Sequence, residues 1–103
     1  MNPIDQYFAA DQSDPDAFTH CFTANAVVKD EGHTYTGLAA IQLWKTESSK
    51  KYTYTSERLA VDEKDGKTIV TNRLTGNFPG SPVDLRFFFG LEGNKIASLE
   101  ITL

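Results

Sequence analysis

Asp30 and His33 are the two side chains whose types and spacing most directly invite acid–base chemistry. One ends a short β-branched run and the other opens the next, with Glu31-Gly32 between them. An imidazole titrates near neutrality and suits proton transfer, and a carboxylate joins it as a base once desolvation lifts its pKa. The same residues also read plainly, as a solvated turn aspartate in Lys29-Asp30-Glu31-Gly32 and an exposed edge histidine. A second feature is aromatic. Trp44, Tyr35, Tyr52, Tyr54, Phe78 and Phe88 offer more ring surface than a minimal core of this size needs. Singly each is ordinary packing; together they suit a mostly apolar pocket with a few polar groups, the usual design of a small-molecule site. Arg73 either joins that polar set or faces water. With two histidines, one cysteine and no ligand-like spacing, no transition-metal site is expected. Gly-rich phosphate loops, nucleophile elbows and Ser/His/Asp arrangements are absent from the sequence, so phosphate chemistry and acyl transfer are disfavoured.

The elements that must position these residues follow from the periodicities. Asn2 can cap a helix with Pro3 in its first turn, running to about Asp11, with Ile4, Tyr7 and Phe8 on one face. Ser13-Asp14-Pro15-Asp16 repeats the start signal and predicts a second helix to about Thr23, its face made by Phe18, Cys21 and Phe22. Val27-Val28 and His33–Thr36 predict two short strands around a turn. Leu38, Ile41, Gln42, Trp44 and Lys45 then have a helical period, with a polar side at Thr46 to Lys51. Four longer strands follow, Tyr52–Glu63, Lys67–Phe78, Val83–Leu91 and Lys95–Leu103, separated by turns at Asp65-Gly66, Pro79–Pro82 and Gly93-Asn94. Helices first and an antiparallel meander second is an α+β order. In the strand from Val83, one face is wholly apolar (Val83, Leu85, Phe87, Phe89, Leu91) and the other carries Asp84, Arg86 and Phe88. Phe87 and Phe89 therefore meet either the helices or a second subunit; if Arg86 and Phe88 line the inside, the outer face is a dimer surface.

Composition bounds the remaining possibilities. A chain of 103 residues suits one domain, 1–103, and 40% hydrophobic with 23% charged residues is a globular composition. The net charge of −4 is interspersed, with no basic cluster beyond Lys50-Lys51, so nucleic acid is not an expected partner. The lone Cys21 cannot form an intrachain disulfide, and neither a leader nor a membrane span is signalled; a cytoplasmic protein is expected.

Three phrases carry a family resemblance: Ile4-Asp5-Gln6-Tyr7-Phe8-Ala9-Ala10, the Phe22 to Asp30 run F-x-x-x-A-V-V-x-D, and G-x-x-A-I from Gly37 to Ile41. With the order of elements and the closing Lys95-Ile96-Ala97-Ser98-Leu99-Glu100, they make the whole chain resemble the SnoaL-like branch of the nuclear transport factor 2-like superfamily. The resemblance implies a cone: a curved antiparallel sheet wrapped around the N-terminal helices, with a pocket at the wide end and two cones associating through their sheets. The superfamily spans isomerases, cyclases, hydrolases, dehydratases and transport adaptors, so the fold does not choose a function.

Similarity to ketosteroid isomerase implies roles for individual residues. That enzyme's catalytic aspartate follows its first strand and its oxyanion-hole tyrosine lies on helix 1, positions held here by Asp30 and Tyr7. Its third member, a neutral acid, is replaced by Arg86. An arginine there implies either an ion pair that lowers the Asp30 pKa or a two-pronged grip on an anionic ligand. The resulting expectation is a homodimer, associated through an outer face bearing Phe87 and Phe89. Its pocket binds a small, largely apolar, carbonyl- or carboxylate-bearing ligand through Arg86, Phe88, Trp44, Tyr35, Tyr54 and Phe18, and needs no cofactor. A second expectation is proton-transfer chemistry next to a carbonyl, in an isomerase or cyclase, with Asp30 as base, Tyr7 as donor and His33 assisting. A third is a non-catalytic dimerisation module with its pocket filled.

Overall fold

The computed structural model describes residues 2–10 and 15–103, and the side chains within them except at positions 15, 16, 49 and 50. The order is α1 (Pro3–Ala10), α2 (Pro15–Thr19), β1 (Phe22–Asp30), β2 (His33–Thr36), α3 (Leu38–Lys51), β3 (Tyr54–Lys64), β4 (Lys67–Gly76), β5 (Val83–Glu92) and β6 (Lys95–Thr102). The expected α+β class holds. Six strands form one sheet in the order β2-β1-β6-β5-β4-β3. Neighbours are antiparallel except β1 and β6, which run parallel and close the sheet's two halves together.

Local chemistry explains most boundaries. Asn2 Oδ1 accepts from the Asp5 backbone N–H at 2.8 Å, satisfying one of the donors that a helix start leaves open. The predicted end of α1 at Asp11 and the Ser13-Asp14 start signal lie outside the described residues. At Glu31-Gly32 (φ 51° and 77°) and Asp65-Gly66 (φ 55° and 77°) the chain takes paired left-handed residues, the two-residue hairpin turn that matches strand twist. Gly37, at φ 88°, swings the chain from β2 into α3 while its N–H donates to the Ala26 carbonyl at 2.9 Å. No other residue enters that conformation without strain.

Strand ends expected at Tyr52 and Phe78 lie two residues inward, at Tyr54 and Gly76, and the expected end of the second helix is wrong. Helix α2 stops at Thr19, and Phe22 opens the nine-residue β1 instead of closing the helix. Phe18, Cys21 and Phe22 are all buried, as their spacing suggested, but from a helix, a turn and a strand. Lys95 rewards the early exit: its ammonium donates to the His20 carbonyl at 2.7 Å and the Ile96 N–H donates to the Cys21 carbonyl at 2.7 Å.

The core lies between the sheet's concave face and the helices. Ile4 and Tyr7 of α1, Phe18 of α2 and Ile41 and Trp44 of α3 pack on Val28, Val70, Leu74, Phe87, Phe89, Ile96 and Leu99. Tyr7 is the hub, with the rings of Phe18, Phe22, Phe87 and Phe89 at 5.0 to 6.2 Å. Each such ring removed from water contributes roughly 1.5–3 kcal/mol. Phe87 and Phe89 are thus the cone's lining, which corrects their placement on an outer association surface. Their register partners on β4 and β6, Val70, Leu99 and Ile101, share that inner face. Alternation then sends Arg86 and Phe88 to the convex side.

Candidate functional site

Three elements build the site. Along β1, Ala26, Val28 and Asp30 alternate inward, so the strand carries two apolar residues into the core and delivers a carboxylate at its open end. Along α3, Ile41, Trp44, Lys45 and Ser48 follow the i, i+3, i+4, i+7 stripe that faces the sheet. Tyr54 begins β3 and points inward across from Gly76. Between them the concave face holds an open cleft of about 1000 Å³. Tyr7, Asp30, Tyr35, Trp44, Lys45 and Tyr54 line it, over an apolar wall of Leu74, Leu85 and Phe87.

The Asp30 carboxylate is half-buried and accepts two hydrogen bonds. Trp44 Nε1 donates to Oδ2 at 3.1 Å, and the Glu31 backbone N–H is the other donor. Burial raises the Asp30 pKa above the ordinary carboxylate value. The Glu31 charge adds to the rise, and the two hydrogen bonds and His33 oppose it. Tyr7 is buried, and desolvation, reinforced by Tyr54 and Asp30, pushes its phenol well above the usual value, so it stays protonated.

Lys45 is the feature that the sequence pattern did not single out. It is only 6% exposed, and its Nζ donates to Tyr54 Oη at 3.1 Å. The rings of Phe18, Trp44 and Tyr54 stand 5.3, 5.8 and 5.8 Å from that ammonium. Desolvation lowers the Lys45 pKa to about 8 and lifts the Tyr54 phenol to about 12. The signal was present, since Lys45 shares a helical stripe with Ile41 and Trp44. A lysine at such a position can snorkel outward, and the spacing alone does not say whether it does.

The remaining predicted site residues divide. Tyr35 lines the cleft with its ring 5.9 Å from that of Trp44. His33 is exposed opposite Asp30 across the hairpin, outside the cleft lining. Phe18 is fully buried behind the site and touches Lys45, not the cleft. Arg86 and Phe88 are corrections to the expected ligand set. Arg86 is exposed on the convex face, where it donates to the Leu103 carbonyl at 3.1 Å and stacks over Phe88 at 6.0 Å. It cannot pair with Asp30 from there. Arg73 also faces outward, bonded to Asp84 at 2.9 Å. Among the described residues no group of three or more His, Cys, Asp and Glu side chains is arranged to hold a metal ion, and no helix is long and apolar enough to cross a membrane.

A half-buried carboxylate, buried phenols and a buried ammonium around an apolar cleft can bind a small organic molecule and move a proton on it. Several solved structures share this architecture. A candidate polyketide cyclase of Sinorhizobium meliloti superposes with a TM-score of 0.91 at 38% identity, covering 97% of this chain and 93% of that one. A ketosteroid isomerase-like fold from Catenulispora acidiphila, solved in complex with trimethylamine, gives 0.83 at 18% identity over 98% and 84%. A nuclear transport factor 2-like protein from Cytophaga hutchinsonii gives 0.74 at 13% identity over 97% and 85%. No protein-family model and no curated protein matches the chain. The chain belongs to the SnoaL-like, nuclear transport factor 2-like superfamily.

Proposed function

We propose that this protein is an enzyme that transfers a proton at a carbon next to a carbonyl in a small, largely apolar substrate, with Asp30 as the general base. One observation carries the reading: the Asp30 carboxylate opens into an aromatic-lined cleft with its basicity raised by burial, and it is held in place by the Trp44 indole. A base of raised pKa is a stronger proton acceptor, and desolvation supplies the rise. The Sinorhizobium meliloti relative, described as a candidate polyketide cyclase, supports chemistry of this class.

In this reading the carbonyl compound lies along Leu74, Leu85 and Phe87. Asp30 takes the α-proton, and the electrons of the broken C–H bond move onto the carbonyl oxygen. The proton then returns to another carbon, or the enolate carbon attacks a second carbonyl and closes a ring, the π electrons of that carbonyl moving onto its oxygen, which takes the proton back from Asp30. Tyr7, fixed as a neutral phenol, is a hydrogen-bond donor at the buried side.

Proton NMR of a panel of simple 1,3-diketones and aryl ketones in D2O tests this. The wild type should accelerate α-proton exchange, and Asp30→Asn should lose roughly 10²–10⁴ of that acceleration. Binding without any exchange would leave a non-catalytic binding protein.

A further inference from the structure

The sheet ends in two edge strands of different character, β2 and β3. β2 is four residues long, a short edge that offers little to pair with. β3 runs for eleven residues and, among the described residues, is bonded to β4 alone. Every residue from 55 to 64 is exposed, Leu59 and Val61 among them. Lys64 and Lys67 close the two-residue turn as a hydrogen-bonded pair, so by alternation the main-chain N–H and C=O of Glu63 and Val61 point away from β4. The bulge between Arg58 and Ala60 takes Leu59 out of the count. Arg58, Val61 and Glu63 therefore share the concave face, opposite Asn72, Val70 and Thr68, while Glu57, Ala60, Asp62 and Lys64 share the convex one.

Charges on an edge strand usually guard it against indiscriminate pairing, but their order in β3 leaves one central register complementary. An antiparallel second copy centred on Val61 sets Val61 against Val61, Ala60 against Asp62, Arg58 against Glu63 and Glu57 against Lys64. Both members of every pair lie on the same face, and two-fold symmetry makes each opposite-charge pair occur twice. Centring on Arg58, Asp62 or Glu63 puts that charge against itself, and centring on Ala60 puts Asp62 against Glu57. We propose that β3 is a self-pairing edge, to which a second copy of this chain adds antiparallel across a two-fold axis at Val61, joining the two sheets into one. Arg58 already donates to Asp5 at 3.3 Å through one nitrogen, and its guanidinium keeps further N–H donors for the second copy's Glu63. None of residues 55–64 lines the cleft, so the pairing leaves it open, and the assignment does not depend on the proposed reaction. An edge pair of this length is at the small end of protein interfaces, so the dimer is reversible and salt weakens it.

Sedimentation equilibrium of the full chain, from micromolar to millimolar concentration, reads the association. The wild type should dimerise, and added salt should weaken the dimer. Glu57→Lys and Lys64→Glu, both at exposed positions, each place two like-charge pairs in their own dimer and should weaken it roughly tenfold. An equimolar mixture of these two variants sets opposite charges against each other again at both positions, so it should associate about as tightly as the wild type. Val61→Pro removes an N–H that points to the open edge and not to β4, and should abolish the dimer. Melting curves confirm that each variant is folded; if Val61→Pro is not, the two charge variants and their mixture carry the test. A wild type that stays monomeric throughout, or a mixture no tighter than either charge variant alone, would overturn the assignment. So would a dimer that Val61→Pro and both charge variants leave intact, which would put the second copy elsewhere on the surface.

Discussion

The Trp44 indole N–H donates to the Asp30 carboxylate at 3.1 Å, tying the middle of α3 to the last residue of β1. This contact orients the proposed base and stabilises its charged form, so it opposes the rise in pKa that burial produces. Trp44→Phe keeps a ring and deletes the donor. The Asp30 pKa should then move further up, and the acid limb of the exchange rate should move to higher pH. Loss of a hydrogen bond to a charged group should also cost about 1.5–3 kcal/mol of stability. A pH–rate profile of the variant beside the wild type checks both the direction and the cause. An unchanged acid limb would mean that the indole does not set the basicity of the site.

Asp30→Asn should separate activity from stability. The folded-state pKa of Asp30 is raised, so the folded protein holds the proton more tightly than the unfolded chain does. Its contribution is favourable below the unfolded pKa and is lost as pH rises through the folded pKa, leaving a penalty at neutral pH. Asparagine removes that penalty and still offers Trp44 an acceptor oxygen. The variant should therefore melt at or above the wild-type temperature at pH 7, with the difference closing under acid conditions, while exchange falls by the factor given above. Denaturation curves across pH measure this. A variant that melts well below the wild type at pH 7 would make Asp30 a structural residue.

Lys45 gives the opposite sign on the alkaline side. Its folded pKa is about 8 against an ordinary 10.5, so between those values the unfolded chain binds a proton that the folded protein has released. Stability contributed through this group rises with pH across that window, and below it the buried charge is a full penalty on the order of 3 kcal/mol. Tyr54, the phenol beside it, is lifted to about 12 and stays protonated throughout the window. Lys45→Met should thus be the more stable protein at pH 7, with its advantage shrinking from about pH 8 to 10.5. Urea titrations of the pair at several pH values read the difference directly. A difference that does not vary with pH would show the ammonium to be solvated.

Most of the fold was legible because its signals are local. The helical stripe Ile41-Trp44-Lys45, the Asp65-Gly66 turn and the alternation through Phe87 and Phe89 each act within one element. Two things were not local. The end of α2 depends on Lys95 and Ile96 of β6 reaching the His20 and Cys21 carbonyls, partners 75 residues away along the chain. The inward face of β5 depends on what covers the sheet, which the alternating pattern does not state, so Arg86 entered the expected site and Lys45 did not. Asp30, Tyr7, Tyr35, Trp44 and Tyr54 converge on the cleft because each occupies the inward phase of its own element. That phase is readable from sequence once one buried neighbour is known.

Gly76 positions Tyr54. The two face each other across β3 and β4, and a Cβ on residue 76 would stand 2.7 and 2.8 Å from Tyr54 Cβ and Cα, and closer still to the Thr53 carbonyl oxygen. The backbone of β3 is held there by the Asn77 N–H, which donates to the Thr53 carbonyl at 3.1 Å, and by the Thr53 N–H, which donates to Asn77 Oδ1 at 2.9 Å. Gly76→Ala must therefore push the start of β3 away from β4, and Tyr54 Oη moves away from Lys45 with it. A loss of about 1–3 kcal/mol in stability is expected from overpacking, with slower α-proton exchange because Tyr54 lines the cleft. Gly66 provides the comparison. It sits in the far hairpin turn at φ 77°, where an added Cβ would meet nothing within 4 Å. Gly66→Ala therefore strains only its own backbone, by roughly 1–2 kcal/mol, and leaves the cleft intact. Equal losses of stability with exchange impaired in Gly76→Ala alone would show that the close approach of β3 to β4 serves the site. Exchange retained by both variants would mean that Tyr54 is placed by its own packing.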